Sequence, residues 1–173
     1  MIITGGIHKG RRIIAPDENI TRPTLSKVRM GVFNTLYSLI GDFEGKSFLD
    51  VFGGSGIMGI EAVSRRFSSV TVCEKNPKAV QIIKKNYSSL GIKPDLYSGD
   101  CRKFLKSMDN IYDIAYVDPP YSSGIYEEIF TLLDGKARII IAECSDDVSC
   151  NKFNLLKSKN YGGKKVLFFV SDL

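Results

Sequence analysis

The chain has 173 residues, of which 43% are hydrophobic and 25% charged. This length and composition predict one globular domain spanning residues 1–173. No apolar run approaches the roughly 18 residues that cross a bilayer, and the N-terminus lacks the pattern of a signal peptide, so a cytoplasmic protein is expected. The four cysteines show no CxxC spacing and there is one histidine, so no metal site is predicted.

The net charge of +5 is concentrated near the N-terminus. Residues 1–30 carry six Lys or Arg against two acidic residues, whereas the rest of the chain is almost balanced. A basic segment of this kind is the electrostatic footprint expected of a protein that contacts a phosphate backbone. A solvated surface explains the same charge equally well, so charge alone leaves both interpretations open.

The first 45 residues are predicted to form a basic hairpin and helix that extend the domain. Two short strands, at 1–4 and 11–15, flank a glycine-containing turn. After a loop at 16–23, a helix is predicted over 25–40 with Thr24 as its cap. Its apolar residues recur at helical spacing on one face: Val28, Val32, Leu36, Leu39 and Ile40.

From residue 46 onward, strand and helix patterns alternate, which indicates the cofactor-binding and catalytic core of the domain. Strands are predicted at 47–52, 69–74, 94–98, 112–118 and 137–143, and helices at 56–66, 76–89, 101–107 and 124–133. The strand runs are short and almost continuously apolar, as is typical of parallel strands buried on both faces. Two further strands, at 153–158 and 165–170, predict a terminal antiparallel hairpin. The fold class is therefore α/β, Rossmann-like, with a mostly parallel seven-stranded sheet.

Acidic residues stand at or just after the ends of three successive predicted strands. Asp50 precedes a glycine-rich turn that includes Gly53 and Gly56, Glu74 ends the second strand, and Asp100-Cys101 follows the third. Open α/β sheets bind ligands at this carboxyl edge, where glycines allow close approach of the backbone to a ligand. An acidic residue about 20 positions after the turn can hold a ribose, and Asp100 can accept a hydrogen bond from an adenine amine.

The glycine-rich turn favours a cationic cofactor over a dinucleotide. NAD is the first candidate on spacing, but the turn lacks the GxGxxG pattern, and the Asp50 carboxylate stands where a pyrophosphate would have to bind. S-adenosylmethionine carries a sulfonium and an ammonium group, both of which a carboxylate attracts.

The tetrapeptide Asp118-Pro119-Pro120-Tyr121 directly follows the fourth predicted strand. Its prolines remove N–H donors, so the Asp118 carboxylate and the Pro119 carbonyl present acceptors only. Two acceptors that converge on an –NH₂ group orient its nitrogen lone pair toward a methyl donor. Tyr121 offers a ring on which the target base can stack, worth roughly 1–3 kcal/mol. The structural alternative is a rigid turn with a packed tyrosine.

Together, the turn after Asp50 and the tetrapeptide resemble the class I S-adenosylmethionine-dependent amino-methyltransferases. Over nearly the whole chain the sequence is similar to the small-subunit (16S) ribosomal RNA guanine(966)-N2 methyltransferase family. That closer resemblance rests on the segments GGIHKGRR (5–12), RPT…VR…FN (22–34) and GIEAVSR (59–65). The C-terminal third matches poorly, since the predicted fifth strand ends in Ala142-Glu143-Cys144-Ser145, with less acidic character than the family suggests.

The resemblance implies an enzyme that methylates a guanine N2 amine of 16S ribosomal RNA in an assembled or nearly assembled small subunit. Asp118, Pro119 and Tyr121 would be catalytic. The cofactor would be held by Thr24, Asp50, Gly53, Gly56, Glu74, Asp100 and Cys101. RNA phosphates would be contacted by Arg11, Arg12, Arg22 and Arg29.

Two other functions remain open. DNA adenine-N6 methyltransferases use the same tetrapeptide, although 173 residues leave no room for a separate sequence-reading domain. A non-catalytic RNA-binding assembly factor on the same fold is the second alternative. Against it stand the intact acidic residues Asp50, Glu74, Asp100 and Asp118.

Overall fold

The computed structural model describes residues 1–15, 24–120, 124–145 and 148–171. Within these ranges the helices are α1 (Ser26–Ile40), α2 (Ile57–Ser64), α3 (Pro77–Ser89), α4 (Cys101–Ser107) and α5 (Gly124–Leu133). The strands are β1 (Ser47–Asp50), β2 (Ser69–Glu74), β3 (Asp95–Ser98), β4 (Tyr112–Val117), β5 (Ala137–Cys144), β6 (Asn154–Asn160) and β7 (Lys165–Val170). These bounds lie within two residues of the predicted ones.

The seven strands form one sheet in the order β3-β2-β1-β4-β5-β7-β6. Strands β1 to β5 are parallel, and β7 runs antiparallel to both of its neighbours, β5 and β6. The strand order reverses between β1 and β4, which is the switch point where open α/β sheets bind ligands. The predicted Rossmann-like fold with a C-terminal antiparallel hairpin is confirmed.

Helices cover both faces of the sheet. One apolar cluster joins α1, α2, α3 and the N-terminal segment to the sheet, and a second joins α4 and α5 to the opposite face. Local signals set the helix starts near the strand tips. The Asn76 side chain accepts a hydrogen bond from the Lys78 amide at 2.9 Å, with Pro77 in the first helical position of α3.

The N-terminal segment pairs as a hairpin but does not form regular strands. A single antiparallel bridge joins Ile2 to Arg12, flanked by backbone bonds such as that from the Ile3 amide to the Arg11 carbonyl, 3.0 Å. The turn packs onto the end of α2, where the Ile7 amide donates to the Ser64 carbonyl at 2.7 Å. The turn is thus tied to α2, and the ladder between the two arms consists of this one bridge.

Two details of α1 differ from the prediction. The cap position is Leu25, which makes no side-chain capping bond, so the assignment of Thr24 as the helix cap is wrong. Leu39 is 37% exposed, and Phe33 instead completes the buried face. No helix in the described ranges has the length and apolar character needed to cross a membrane.

Candidate active site

A cavity of about 320 Å³ opens at the carboxyl ends of β1, β2, β3 and β4. Four of the predicted site residues line it: Glu74, Asp100, Cys101 and Asp118. They come from three different strand ends, and the switch point of the sheet brings them together as predicted. Gly54, Pro120 and Ile125 complete much of the remaining wall.

Glu74 is fixed by backbone amides at the tip of β2. One carboxylate oxygen accepts a bond from the Gly54 amide and the other from the Asn76 amide, each at 2.7 Å. A carboxylate can accept about four hydrogen bonds, so both oxygens retain capacity for donors inside the cavity. The two hydroxyls of a ribose are donors that such a carboxylate can accept.

Asp100 caps α4 and is held by Arg102. Its Oδ1 accepts a bond from the Arg102 amide at 2.9 Å, and the guanidinium pairs with Oδ2 at 2.5 Å. Hydrogen bonding to Arg102 lowers the pKa of Asp100 to about 2, so the group is an ionised acceptor at neutral pH. Next to it, burial raises the pKa of the Cys101 thiol to about 11, which makes that side chain a small uncharged part of the wall.

Asp50 lies beneath the glycine-rich turn and is only 1% exposed. Within the described structure its Oδ1 has no hydrogen-bond partner. Burial, followed by repulsion from Glu74, raises the pKa of Asp50 to about 7. A buried carboxylate without a compensating charge is costly, and a nearby cation would relieve that cost.

Packing explains the two glycines that were predicted to contact the cofactor. A Cβ atom on Gly53 would lie 2.4 Å from Val72 Cγ1, and Gly56 has a φ of +78° where the turn enters α2. Neither lines the cavity. Gly54, which the sequence analysis did not single out, lines it and orients Glu74.

Asp118 follows β4 at the cavity wall and is half-buried. Burial, with a contribution from the charge of Glu143, raises the pKa of Asp118 to about 8. Pro119 is buried and Pro120 is exposed at the cavity. Tyr121 lies outside the described residues, so its predicted stacking role stays a prediction.

Sequence reasoning missed the neighbours of Asp118. Glu143 on β5 is 1% exposed, accepts a bond from the Tyr116 hydroxyl at 2.5 Å and pairs with the Lys164 ammonium. A signal for Glu143 was available, because it is the one acidic residue in the apolar run ARIIIAEC. Lys164 stands in a glycine- and lysine-rich turn with no comparable signal.

The predicted phosphate contacts divide into three cases. Arg11 and Arg12 are exposed, and Arg11 donates to the Ser89 carbonyl at 2.7 Å. Arg22 lies outside the described residues. Arg29 is 1% exposed and bonds to Glu61 at 3.1 Å and to the Ile2 carbonyl at 2.6 Å, so its predicted phosphate contact is wrong.

Arg29 instead ties the hairpin to the core. Its guanidinium also bonds to the carbonyl of Thr24, and Glu61 accepts a bond from the Thr4 amide at 2.9 Å. A buried charge pair with complete hydrogen bonding of this kind specifies one arrangement of the chain. Thr24 is buried and does not line the described cavity, so its contact with the cofactor stays a prediction.

A larger cavity of about 460 Å³ lies away from the strand tips, between α1, the end of α2 and the hairpin turn. It contains none of the predicted site residues, so the chemistry is assigned to the smaller one. In the described part of the chain, no group of three or more His, Cys, Asp or Glu side chains is placed to hold a metal ion.

The cavity at the strand tips fits S-adenosylmethionine. Glu74 offers acceptors for a ribose, and Asp100 lies at the next strand end. Asp50 is buried and does not line the described cavity, but the charge of a cationic ligand beside the glycine-rich turn would compensate its carboxylate. The glycine-rich turn allows the chain to pass close to that ligand. When bound, this cofactor would supply a methyl group on a sulfonium.

Solved structures show the same architecture. The Escherichia coli protein yhhF superposes with a TM-score of 0.86 at 25% identity, covering 99% of this chain and 97% of that chain. An RNA methyltransferase from Salinibacter ruber, solved with S-adenosyl-L-homocysteine, gives a TM-score of 0.68 at 15% identity, over 88% and 95% of the two chains. The second likeness concerns the fold alone.

Sequence comparison points to one family. Ribosomal RNA small subunit methyltransferase D of Escherichia coli is 35% identical over 133 residues, which are 76% of this chain and 66% of that protein. The chain therefore aligns with slightly less than two thirds of that relative. The Buchnera aphidicola protein of the same name is 35% identical over 78% of this chain and 70% of its own length. The model of the Conserved hypothetical protein 95 family matches residues 1–170, and the chain belongs to that family.

Proposed function

We propose that this chain transfers a methyl group from S-adenosylmethionine to the N2 amine of a guanine in 16S ribosomal RNA. The observation that carries the proposal is a single cavity in which Asp118 of the tetrapeptide shares walls with Glu74 and Asp100. The names of the relatives support ribosomal RNA of the small subunit as the substrate.

Each residue of the site has a distinct role in this proposal. Glu74 binds the ribose, Asp100 the adenine amine, and Asp50 stabilises the cationic end of the cofactor. The Asp118 carboxylate and the Pro119 carbonyl accept the two hydrogens of the target amine, which turns the nitrogen lone pair toward the methyl group. Positioning of this kind supplies most of the acceleration, because the transfer needs an in-line approach. The guanine must be splayed from its stack to reach the cavity.

The basic hairpin provides the RNA contact. Arg11 and Arg12 are exposed, and we assign them, with Arg22, to phosphates. Residues 1–45 would thus serve as an RNA-binding extension of a single domain whose core is 46–173. The substrate would be an assembled or nearly assembled small subunit, in the cytoplasm.

Nucleotide analysis of ribosomal RNA from cells that lack the gene tests the proposal. We expect N2-methylguanine to be lost from one position of 16S RNA and to return when the purified protein and labelled methyl donor are added to those small subunits. Methylation of adenine N6 in DNA would instead support the alternative enzyme. RNA binding without transfer to any acceptor would support the assembly factor.

Glu74→Ala is expected to weaken cofactor binding strongly. It removes two charge-assisted hydrogen bonds to the ribose, each worth roughly 1.5–3 kcal/mol, and frees the Gly54 amide. Calorimetric titration with S-adenosylmethionine measures the loss, with the exposed Glu44→Ala as the matched control. Unchanged affinity in Glu74→Ala would remove Glu74 from the cofactor site.

Replacing both Arg11 and Arg12 with alanine should lower RNA affinity and flatten its salt dependence. Each lost phosphate contact reduces the slope of log K against log salt by about 0.7–0.9. Cofactor affinity should stay unchanged. The control replaces Lys103 and Lys106, two exposed cations on α4 at the opposite face of the sheet. If the two double variants show the same slope of log K against log salt, Arg11 and Arg12 do not contact phosphates and are part of a solvated surface.

A further inference from the structure

Three acidic residues stand at the ends of adjacent strands, and one of them, Asp118, lines the candidate active site. Asp50 ends β1, Asp118 follows β4, and Glu143 lies near the end of β5. Val117 pairs with Ala142 in the β4–β5 register, so Asp118 and Glu143 are the next residues along the two strands. Neighbouring parallel strands lie about 4.8 Å apart, which places these two residues next to each other.

Glu143 is held on two sides by hydrogen-bond donors. The Tyr116 hydroxyl donates to Oε2 at 2.5 Å, and the Lys164 ammonium pairs with Oε1. The Glu143 side chain is 1% exposed, whereas the Lys164 side chain is 37% exposed. A third contact, from the Tyr126 hydroxyl to the Glu143 carbonyl at 2.6 Å, fixes the strand itself.

Glu143 bonds to both Tyr116 and Lys164, so its two carboxylate oxygens are engaged inside this cluster. Burial, followed by the charge of Glu143, raises the pKa of Tyr116 well above its usual value, so this hydroxyl remains a donor. Removal of one partner from a buried ion pair leaves an uncompensated charge, which is costly. The cluster therefore acts on its neighbours through its charge and its geometry.

We propose that Glu143, Tyr116 and Lys164 form a positioning unit that sets the charge on Asp118. This inference rests on the proposed function, in which Asp118 binds the target amine. Glu143 places a negative charge beside Asp118, Lys164 partly offsets it, and Asp50 adds a second negative charge from β1. Asp118 is thereby kept close to the balance between acid and carboxylate.

This balance suits Asp118 to accept a proton during the transfer. The N–C bond forms as the S–C bond breaks, and the positively charged nitrogen then loses one of its N–H protons to an oxygen of Asp118. A proton acceptor works best when its pKa lies near the working pH. Burial and the neighbouring Glu143 raise the pKa of Asp118 to about 8, which is in that range.

Carboxyl-¹³C NMR of the whole protein, without cofactor or RNA, tests the unit directly. Asp118 is assigned from the signal that disappears in Asp118→Asn. Glu143→Gln keeps an acceptor for Tyr116 but removes the negative charge, so Asp118 should titrate at a pH lower by about one unit or more. Lys164→Met removes the offsetting cation. The final deprotonation step of the coupled Asp118 and Glu143 carboxyls should therefore occur at a higher pH than in the parent. Lys159→Met, on exposed β6, is the matched control and should change nothing.

The opposite signs of the two changes identify a charge effect, which a merely structural role would not produce. The pH at which the single-turnover methylation rate levels off should move in the same two directions. The inference would be overturned if the titration midpoints did not change, or if both variants shifted them in the same direction. The Lys164 side chain is partly exposed and tolerates replacement better than the buried Glu143, so Lys164→Met tests the inference even where Glu143→Gln fails to fold. The titrations need no methyl transfer, so they remain informative if the proposed RNA substrate is wrong.

Discussion

Asp118→Ala is expected to reduce the single-turnover rate of methyl transfer by roughly 10²–10³-fold or more while RNA affinity stays within a few-fold. The carboxylate bonds more strongly to the amine as positive charge develops on the nitrogen. Its loss is therefore felt in the transition state and hardly at all in the ground state. Asp118 is half-buried at the cavity wall, where a lower local dielectric than that of water strengthens its bond to the amine.

The measurement uses labelled S-adenosylmethionine and small subunits that lack the modification. Asp118→Asn provides a graded comparison, because its amide keeps one acceptor oxygen but turns a donor toward the amine. The exposed Asp109→Ala removes a carboxylate just before β4 and serves as the control for net charge. A near-parental rate in Asp118→Ala would show that the amine is oriented by other groups.

Local sequence patterns predicted the fold well because the central strands β1, β4 and β5 are buried on both faces. Runs such as YDIAYV and ARIIIAE leave little ambiguity between strand and helix, and the alternation of elements dictates a parallel sheet. The strand order then brings Glu74, Asp100 and Asp118 to one edge, so spacing along the chain was sufficient to find three walls of the cavity.

Contacts between distant segments were not predictable in the same way. Arg29 looked like a phosphate ligand because it stands in a basic stretch, yet its partners Glu61 and Ile2 are far from it in sequence. The pairing of Glu143 with Lys164 depends on a β5–β7 register that no local pattern specifies. Charge counting locates basic segments, but only tertiary structure shows which arginine is buried and paired.

The same limitation explains why the contacts of the glycine-rich turn were assigned to the wrong glycines. Its composition correctly indicated a close approach of chain and ligand at the end of β1, but Gly53 and Gly56 are there for packing and for a left-handed turn. Of the three glycines in this turn, Gly54 is the one that lines the cavity. A motif thus locates a site more reliably than it assigns a contact to each of its residues.

Asp50→Asn is expected to make the cofactor-free protein more stable and the cofactor-bound complex weaker. The pKa of Asp50 is raised to about 7 in the folded state from 3.8, so between these values the folded protein binds the proton more tightly than the unfolded chain. The parent should therefore lose stability as the pH rises through this window, by about 1.4 kcal/mol per pH unit for this group. Asparagine has no such charge, and above pH 7 its advantage reaches up to about 4 kcal/mol.

Thermal unfolding without cofactor, from pH 4 to pH 9, measures the first effect. The difference in Tm between Asp50→Asn and the parent should grow from pH 4 to about pH 7 and then level off, whereas the exposed Asp109→Asn should show no such trend. Calorimetry measures the second effect: S-adenosylmethionine should bind the variant more weakly, because the attraction between the Asp50 charge and the sulfonium and ammonium groups is lost. Its neutral product, S-adenosylhomocysteine, lacks the sulfonium and should lose less affinity. A variant that gains no stability would show that the Asp50 charge is already compensated in the free protein, and equal losses for the two ligands would show that Asp50 does not act on the sulfonium.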